Sequence, residues 1–154
     1  MSWIRVATQA DLDELMRQFG DFHDGVLREA HIWTEHWVGD NLSMAIGVGL
    51  DTRVRMLFQR QWRPVSAVEL VFEEVTRLNL IPSPENYEAS IGAATLYMDG
   101  DSIFWAEESN WHPNEDDSDA VTWIAARKLS WRDASDWMGE SLHYAVGTPP
   151  APSA

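Results

Sequence analysis

Three short polar stretches carry residue types that could do chemistry. Phe22-His23-Asp24 sets an imidazole beside a carboxylate, between a helix-ending Phe19-Gly20 and a strand-opening Val26-Leu27. Gln59-Arg60-Gln61 ends one apolar strand pattern, and Trp131-Arg132 ends the last one. His23, Asp24, Gln59, Arg60, Gln61 and Arg132 are therefore the candidate polar cluster. An imidazole poised near neutral pH beside a carboxylate suggests an acid-base pair, and a cleft around His23, Asp24 and Arg60 would suit a small hydrolase or lyase. Geometry weighs against this use. Adjacent side chains in a strand point to opposite faces, so His23 and Asp24 meet one substrate atom only in a turn. The favoured role for Asp24 is to accept backbone N–H bonds and stabilise that turn, and no residue is assigned as catalytic.

Arg60 is the oddest residue by position. In a two-residue period it shares the apolar face of Val54, Met56, Phe58 and Trp62. A guanidinium buried there needs a carboxylate or an open edge, and Asp24 is the expected partner. Arg127 raises the same question among Val121, Trp123, Ala125, Leu129 and Trp131. A buried ion pair that holds sheet register is favoured over a ligand site in both cases.

Other chemistry finds little support. His31 and His36 lie five apart, which fits neither a strand face nor the helical spacing of a metalloprotease, and His112 and His143 fall in loops. The 114–119 run lacks the glycine and terminal glutamate of a calcium loop. Gly47 and Gly49 lie inside a strand pattern, not a phosphate loop. No metal and no cofactor is expected.

The elements that must position these residues follow from the pattern of the chain. Thr8 and Asp11 make a variant capping box, and Leu12, Leu15, Met16 and Phe19 recur at helical spacing until Gly20. The rest is mainly β. A long strand is expected over 26–38, and alternation marks Met44-Ile46-Val48-Leu50, Val54-Met56-Phe58 and Val68-Leu70-Phe72, with Asp51-Thr52 joining the first two. Pro82 and Pro84 break the chain, strand character resumes near Ser90, and Asp99-Gly100 signals a hairpin. An acidic surface loop over 112–119 precedes a last strand from Val121 to Trp131, a short helix over 133–138 and a frayed tail. The expected fold is α+β, mainly β: an antiparallel curved sheet, sandwich or half-barrel, with an N-terminal helix packed on it. Residues 1–146 form one globular domain, and 147–154 a flexible Pro-rich tail.

Composition narrows the partners. Hydrophobic residues make up 45% of the 154 and charged residues 23%, as in an ordinary globular domain. Nine tryptophans are unusual, and packing is their expected role. With 11 Lys and Arg against 25 Asp and Glu, the net charge is −14, so nucleic acid and anionic membranes are disfavoured and a basic protein partner is favoured. The chain has no cysteine, no signal-peptide pattern and no run of membrane-span length, so a cytoplasmic, soluble protein is expected.

The order of motifs resembles a family of small uncharacterised bacterial proteins. The resemblance rests on Phe22-His23-Asp24, Phe58-Gln59-Arg60-Gln61, Val68-Glu69-Leu70-Val71-Phe72, the Pro82–Tyr87 spacing, the Asp-Gly hairpin leading to Trp105, and Trp131-Arg132. It implies a fold more than an activity. Small bacterial domains with a similar Phe-His-Asp start resemble immunity proteins, which neutralise a toxin, and the acidity would suit a lid over a basic nuclease site. The 112–119 insertion departs from that pattern. The leading expectation is a non-catalytic, acidic protein-binding domain. The alternatives are the hydrolase or lyase and a homo-oligomer joined through surplus tryptophans.

Overall fold

The apolar alternation of the central segments builds one antiparallel sheet with a helix on one face. The computed structural model describes residues 2–144. Its strands are β1 (Ile4–Arg5), β2 (Val26–Trp33), β3 (Trp37–Val38), β4 (Met44–Ala45), β5 (Arg53–Gln59), β6 (Ala67–Asn79), β7 (Thr95–Asp99), β8 (Ser102–Ala106) and β9 (Trp123–Asp133), with helix α1 at Gln9–Gln18. The main sheet runs β2-β5-β6-β9-β8-β7, and β1 pairs with β9 beside β8. Every pairing is antiparallel, and the sheet does not close into a barrel. The fold is thus α+β and mostly antiparallel, with the N-terminal helix packed on the sheet, as expected. The expected 147–154 tail lies outside the described residues. Among the described residues no helix is long and apolar enough to cross a membrane.

The helix begins where the capping box places it. Thr8 Oγ1 accepts from Asp11 N, and the Asp11 carboxylate accepts from Thr8 N at 2.9 Å and Ala7 N at 2.8 Å. Leu12, Leu15 and Phe19 are fully buried against Phe22, Phe58, Phe72 and Trp105 on the sheet. Gln9 Oε1 accepts from Met98 N at 3.0 Å, so the helix also covers part of the edge of β7. The Asp-Gly signal gives the β7–β8 hairpin, with Asp99 opposite Ser102 and Gly100 at φ 61° in the position a type II′ turn gives glycine.

Three expectations are corrected. Residues 46–50 form no strand: Met44 and Ala45 pair with Val38 and Trp37 in a separate ribbon, while Ile46 and Val48 stand exposed. β5 pairs with β2 and β6 instead, which supply its longer apolar ladders. The helix expected over 133–138 is not formed: Asp133 ends β9 and a turn follows, since Asp133 accepts from Ser135 N and Ala134 N donates to Ala67 O. Arg127 is exposed, with Asp101 at 3.8 Å, because β6 and β9 both slip near it. Phe72 and Val75 face the helix side three residues apart, as do Leu129 and Ala126, and Glu74 takes φ 52° between them. Trp123 and Ala125 consequently lie on the opposite face, in a cluster with Trp111 and Ala106.

Packing explains most of the tryptophans. Trp105, Trp111, Trp123 and Trp131 are buried, whereas Trp37 and Trp62 are exposed. One pH effect follows from the helix start. Backbone N–H donors from Ala7 and Thr8 hold the Asp11 carboxyl below its ordinary 3.8, and the Arg17 side chain holds Glu14 at about 2. Both folded values are depressed, so their contribution to stability is present above the ordinary carboxylate range and is lost as pH falls through the folded values. Urea denaturation between pH 5 and 2 is expected to show stability falling with pH, and Asp11→Asn should make the slope shallower without abolishing it. An unchanged slope would remove Asp11 from this role.

Candidate functional site

Four unusual conformations among residues 20–24 shape the first polar stretch. Gly20 ends the helix at φ 56°, and Asp21, Phe22 and Asp24 follow at 57°, 63° and 57°. Non-glycine residues in this region cost on the order of 1–3 kcal/mol each. The compensation is packing. The Phe22 ring is fully buried, with centroids 5.0 Å from Phe19, 5.0 Å from Phe58 and 5.8 Å from Trp105. The turn is also sewn to residues 91–94: Asp24 N donates to Ile91 O at 2.9 Å, Ile91 N to Gly25 O at 2.8 Å, and Ala94 N to Asp21 O at 2.9 Å.

His23 serves the same turn. Its Nδ1 donates to Gly92 O at 2.6 Å, and its Nε2 lies 3.4 Å from Asp24 Oδ2. The turn does bring His23 and Asp24 side by side, yet both ring nitrogens face oxygen acceptors. Arg60 lies directly beneath. Its Nε donates to Val65 O at 2.7 Å and its Nη2 to Gln18 O at 3.1 Å, while its guanidinium carbon sits 4.8 Å from the centre of the Phe19 ring. The expected Asp24–Arg60 pair is not formed: Asp24 lies beside His23, and the guanidinium is held by these two carbonyls instead. A Cβ on Gly20 would lie 2.5 Å from Arg60 Nη1, the movable end of that side chain, so it is the positive φ that requires glycine here.

Gln59 and Arg132 lie elsewhere. Neighbouring positions on β5 project to opposite faces, and Gln59 Nε2 donates to Trp137 O at 2.7 Å and Gly139 O at 3.3 Å. Arg132 Nε donates to Glu69 Oε1 at 2.7 Å, and its guanidinium lies between the rings of Trp3 and Trp137, 4.6 and 4.9 Å from their centres. Gln61 is exposed at the strand end. Five of the six residues thus divide between two faces of the sheet: His23, Asp24 and Arg60 on the helix side, and Gln59 and Arg132 under residues 134–144.

That second group surrounds a buried charge network that the apolar pattern did not announce. Arg55 and Glu69 are both fully buried. Arg55 Nε donates to Glu69 Oε2 at 3.0 Å, and its Nη2 donates to the same oxygen. Glu69 therefore accepts from Arg55 with one oxygen and from Arg132 with the other. Tyr144 covers Arg55, with its ring centre 4.6 Å from the guanidinium carbon, and burial pushes its phenol far up. Glu29 accepts the backbone N–H groups of His143 and Tyr144 at 2.9–3.0 Å, and Arg28 donates to Glu140 O. The sequence signal was present but easily taken for a wet face: Arg53, Arg55 and Gln59 on β5 stand beside Glu69 and Glu73 on β6.

Two further features are open to solvent. The β3–β4 ribbon exposes Trp37, Val38, Met44 and Ile46 at 61%, 56%, 69% and 63%. At the opposite end of β2, a cleft of about 500 Å³ runs between Val26, the 81–90 loop, Glu107 and Val121. Among the described residues no group of three or more His, Asp and Glu is placed to hold a metal ion. No family model, curated protein or solved structure matches the chain.

The network makes a quantitative demand on stability. Removing one partner of a buried ion pair costs about 3–5 kcal/mol, whereas replacing all partners by apolar residues can be neutral. Glu69→Gln is therefore expected to lower the unfolding free energy by about that amount, and Arg55→Met with Glu69→Leu and Arg132→Leu to lose much less. Urea denaturation of both variants decides the matter. A loss below about 1 kcal/mol for Glu69→Gln would mean that the guanidinium groups do not depend on it.

Proposed function

We propose that the chain is a non-catalytic domain that binds a basic protein through the β3–β4 arm. The observation that carries this reading is the exposed apolar surface of that arm. Trp37, Val38, Met44 and Ile46 sit on a two-stranded ribbon that pairs with no other strand among the described residues. An exposed, contiguous apolar patch with unpaired strand edges is a surface suited to a partner. Glu35, Asp40 and Asp51 are close to the arm in sequence, Glu35 paired with Arg53 and Asp51 with His36.

Charge complementarity selects the partner. Eight of the eleven basic residues are in ion pairs with carboxylates: Arg5, Arg17, Arg53, Arg55, Arg77, Arg127, Lys128 and Arg132. The remaining field is strongly negative, which disfavours a second copy of the same chain and speeds encounter with a cationic surface. The motif resemblance extends the reading to an immunity-like protein acting on a basic toxin in the cytoplasm. The hydrolase or lyase reading would need His23, Asp24 and Arg60 around one cleft, and Arg60 is already held by Gln18 and Val65.

The test compares the wild-type protein with Trp37→Asp, Met44→Asp as baits in lysate of the source cell, at low and high salt. The expected result is a basic protein held in stoichiometric amount by wild type at low salt, weakened at high salt, and weakened about 30-fold or more by the double variant, the scale of losing a tryptophan anchor. Both substitutions are at exposed positions, so the denaturation midpoint should hold. Equal capture by both baits, or none by either, would reject the arm as the binding surface. A concentration-dependent elution volume that the variant abolishes would assign the arm to self-association instead.

A further inference from the structure

The cleft at the start of β2 is a second recessed site, separate from the arm. Eight residues at about 3.3 Å each separate the two ends of β2, which puts the two features more than 20 Å apart. Its walls are tied together by hydrogen bonds. Ile81 N donates to Thr122 Oγ1 at 2.9 Å, and Thr122 Oγ1 donates to Ile81 O at 3.3 Å. Asn79 Nδ2 donates to Val121 O at 2.8 Å, and Glu107 N to Thr122 O at 2.9 Å. A volume of about 500 Å³ lies within the usual range for small-ligand pockets.

The lining has one sign of charge. Val26, Ile81, Pro82 and Val121 supply apolar wall, Tyr87 supplies an aromatic ring, and the ionisable acids are Glu88 and Glu107. No Lys, Arg or His lines the cleft. Glu88 already accepts from Ser90 Oγ at 3.2 Å. Glu107 is different: it is half-buried, and among the described residues its carboxylate has neither a hydrogen bond nor an ion pair. Burial accordingly pushes its carboxyl up. Every other carboxylate withdrawn this far on the sheet is met: Glu69 by Arg55 and Arg132, Glu73 by Arg5 and Arg53, and Glu29 by two backbone N–H groups. A withdrawn carboxylate without a donor, set in an apolar cleft, is matched by a cation that brings its own apolar body.

We propose that this cleft binds an alkyl cation, an ammonium or guanidinium group on a hydrocarbon stem, with Glu107 as counter-ion and Tyr87 against the charge. An aromatic face attracts such a cation, and the carboxylate gives a charge-assisted hydrogen bond. The same group can reach the cleft as a free amine or as a lysine or arginine side chain of a protein. The site does not depend on the arm, so either proposal can fail alone.

Agmatine is the first probe, titrated into wild type and Glu107→Gln by calorimetry, with the uncharged alkyl alcohol 1-pentanol alongside. Wild type should bind agmatine, and Glu107→Gln should weaken it about tenfold or more, the size of one charge-assisted hydrogen bond. Tyr87→Ala should weaken it less. Glu107→Gln should leave the urea midpoint unchanged or raised, because it removes an unmatched carboxylate. No binding at about 10 mM agmatine, equal affinity of Glu107→Gln, or equal binding of 1-pentanol would overturn the proposal. A tripeptide with central arginine, blocked at both ends, separates the sources. Tighter binding of the peptide than of agmatine assigns the cleft to a protein side chain, and the reverse order assigns it to a free amine, each supporting the same chemistry.

Discussion

A single carboxylate, Glu69, organises the side of the sheet away from the helix. It is fully buried and accepts from Arg55 on one strand and Arg132 on another, so β5, β6 and β9 are tied across their shared face by one charged group. Charges withdrawn from water in this way are tolerable only when each remaining donor and acceptor is matched. Residues 134–144 complete the matching. Tyr144 lies on Arg55, Trp137 stacks on Arg132, and the carbonyls of Trp137 and Gly139 take the Gln59 amide. A segment without regular secondary structure is thereby held as a covering layer, and a sheet with helix on only one face is buried on both.

This arrangement decides what could be read from the chain and what could not. Helix α1, its capping box, the β7–β8 hairpin and the helix-facing residues of β5 and β6 all rest on local rules, periodicity and turn chemistry. They are where the pattern places them. The strand expected through 46–50 and the helix expected at 133–138 fail for one reason. Both segments have suitable local spacing, but other strands make better neighbours for the sheet, and side chains on its second face hold residues 134–144 in an irregular covering path. Arg127 fails through a slip of β6 and β9 that moves the phase of β9 by one residue, which no two-residue period can reveal.

The candidate site was half legible for a related reason. Polar residues at strand ends stand out in the pattern, yet a one-dimensional pattern cannot say which face each one reaches. Gln59 and Arg60 are adjacent in the chain and are separated by the sheet. One anchors the covering segment, and the other holds the carbonyls of Gln18 and Val65 beneath the Gly20–Gly25 turn. Arg55 and Glu69 were the stronger pair throughout. They escaped notice because alternation assigns such positions to water, and only the covering segment, which has no periodic signature of its own, makes them internal.

The distribution of charge links this architecture to binding. Most of the basic residues are committed to carboxylate partners, Arg55 and Arg132 beneath the covering layer and the others at the surface, so the acidic excess of the composition is left without cations to match it. A domain whose carboxylates so outnumber its cations presents a field of mostly one sign, and such a field attracts opposite charge without choosing where it docks. Selection must come from shape and apolar contact, which the β3–β4 arm and the cleft beside Glu107 supply at opposite ends of the same strand.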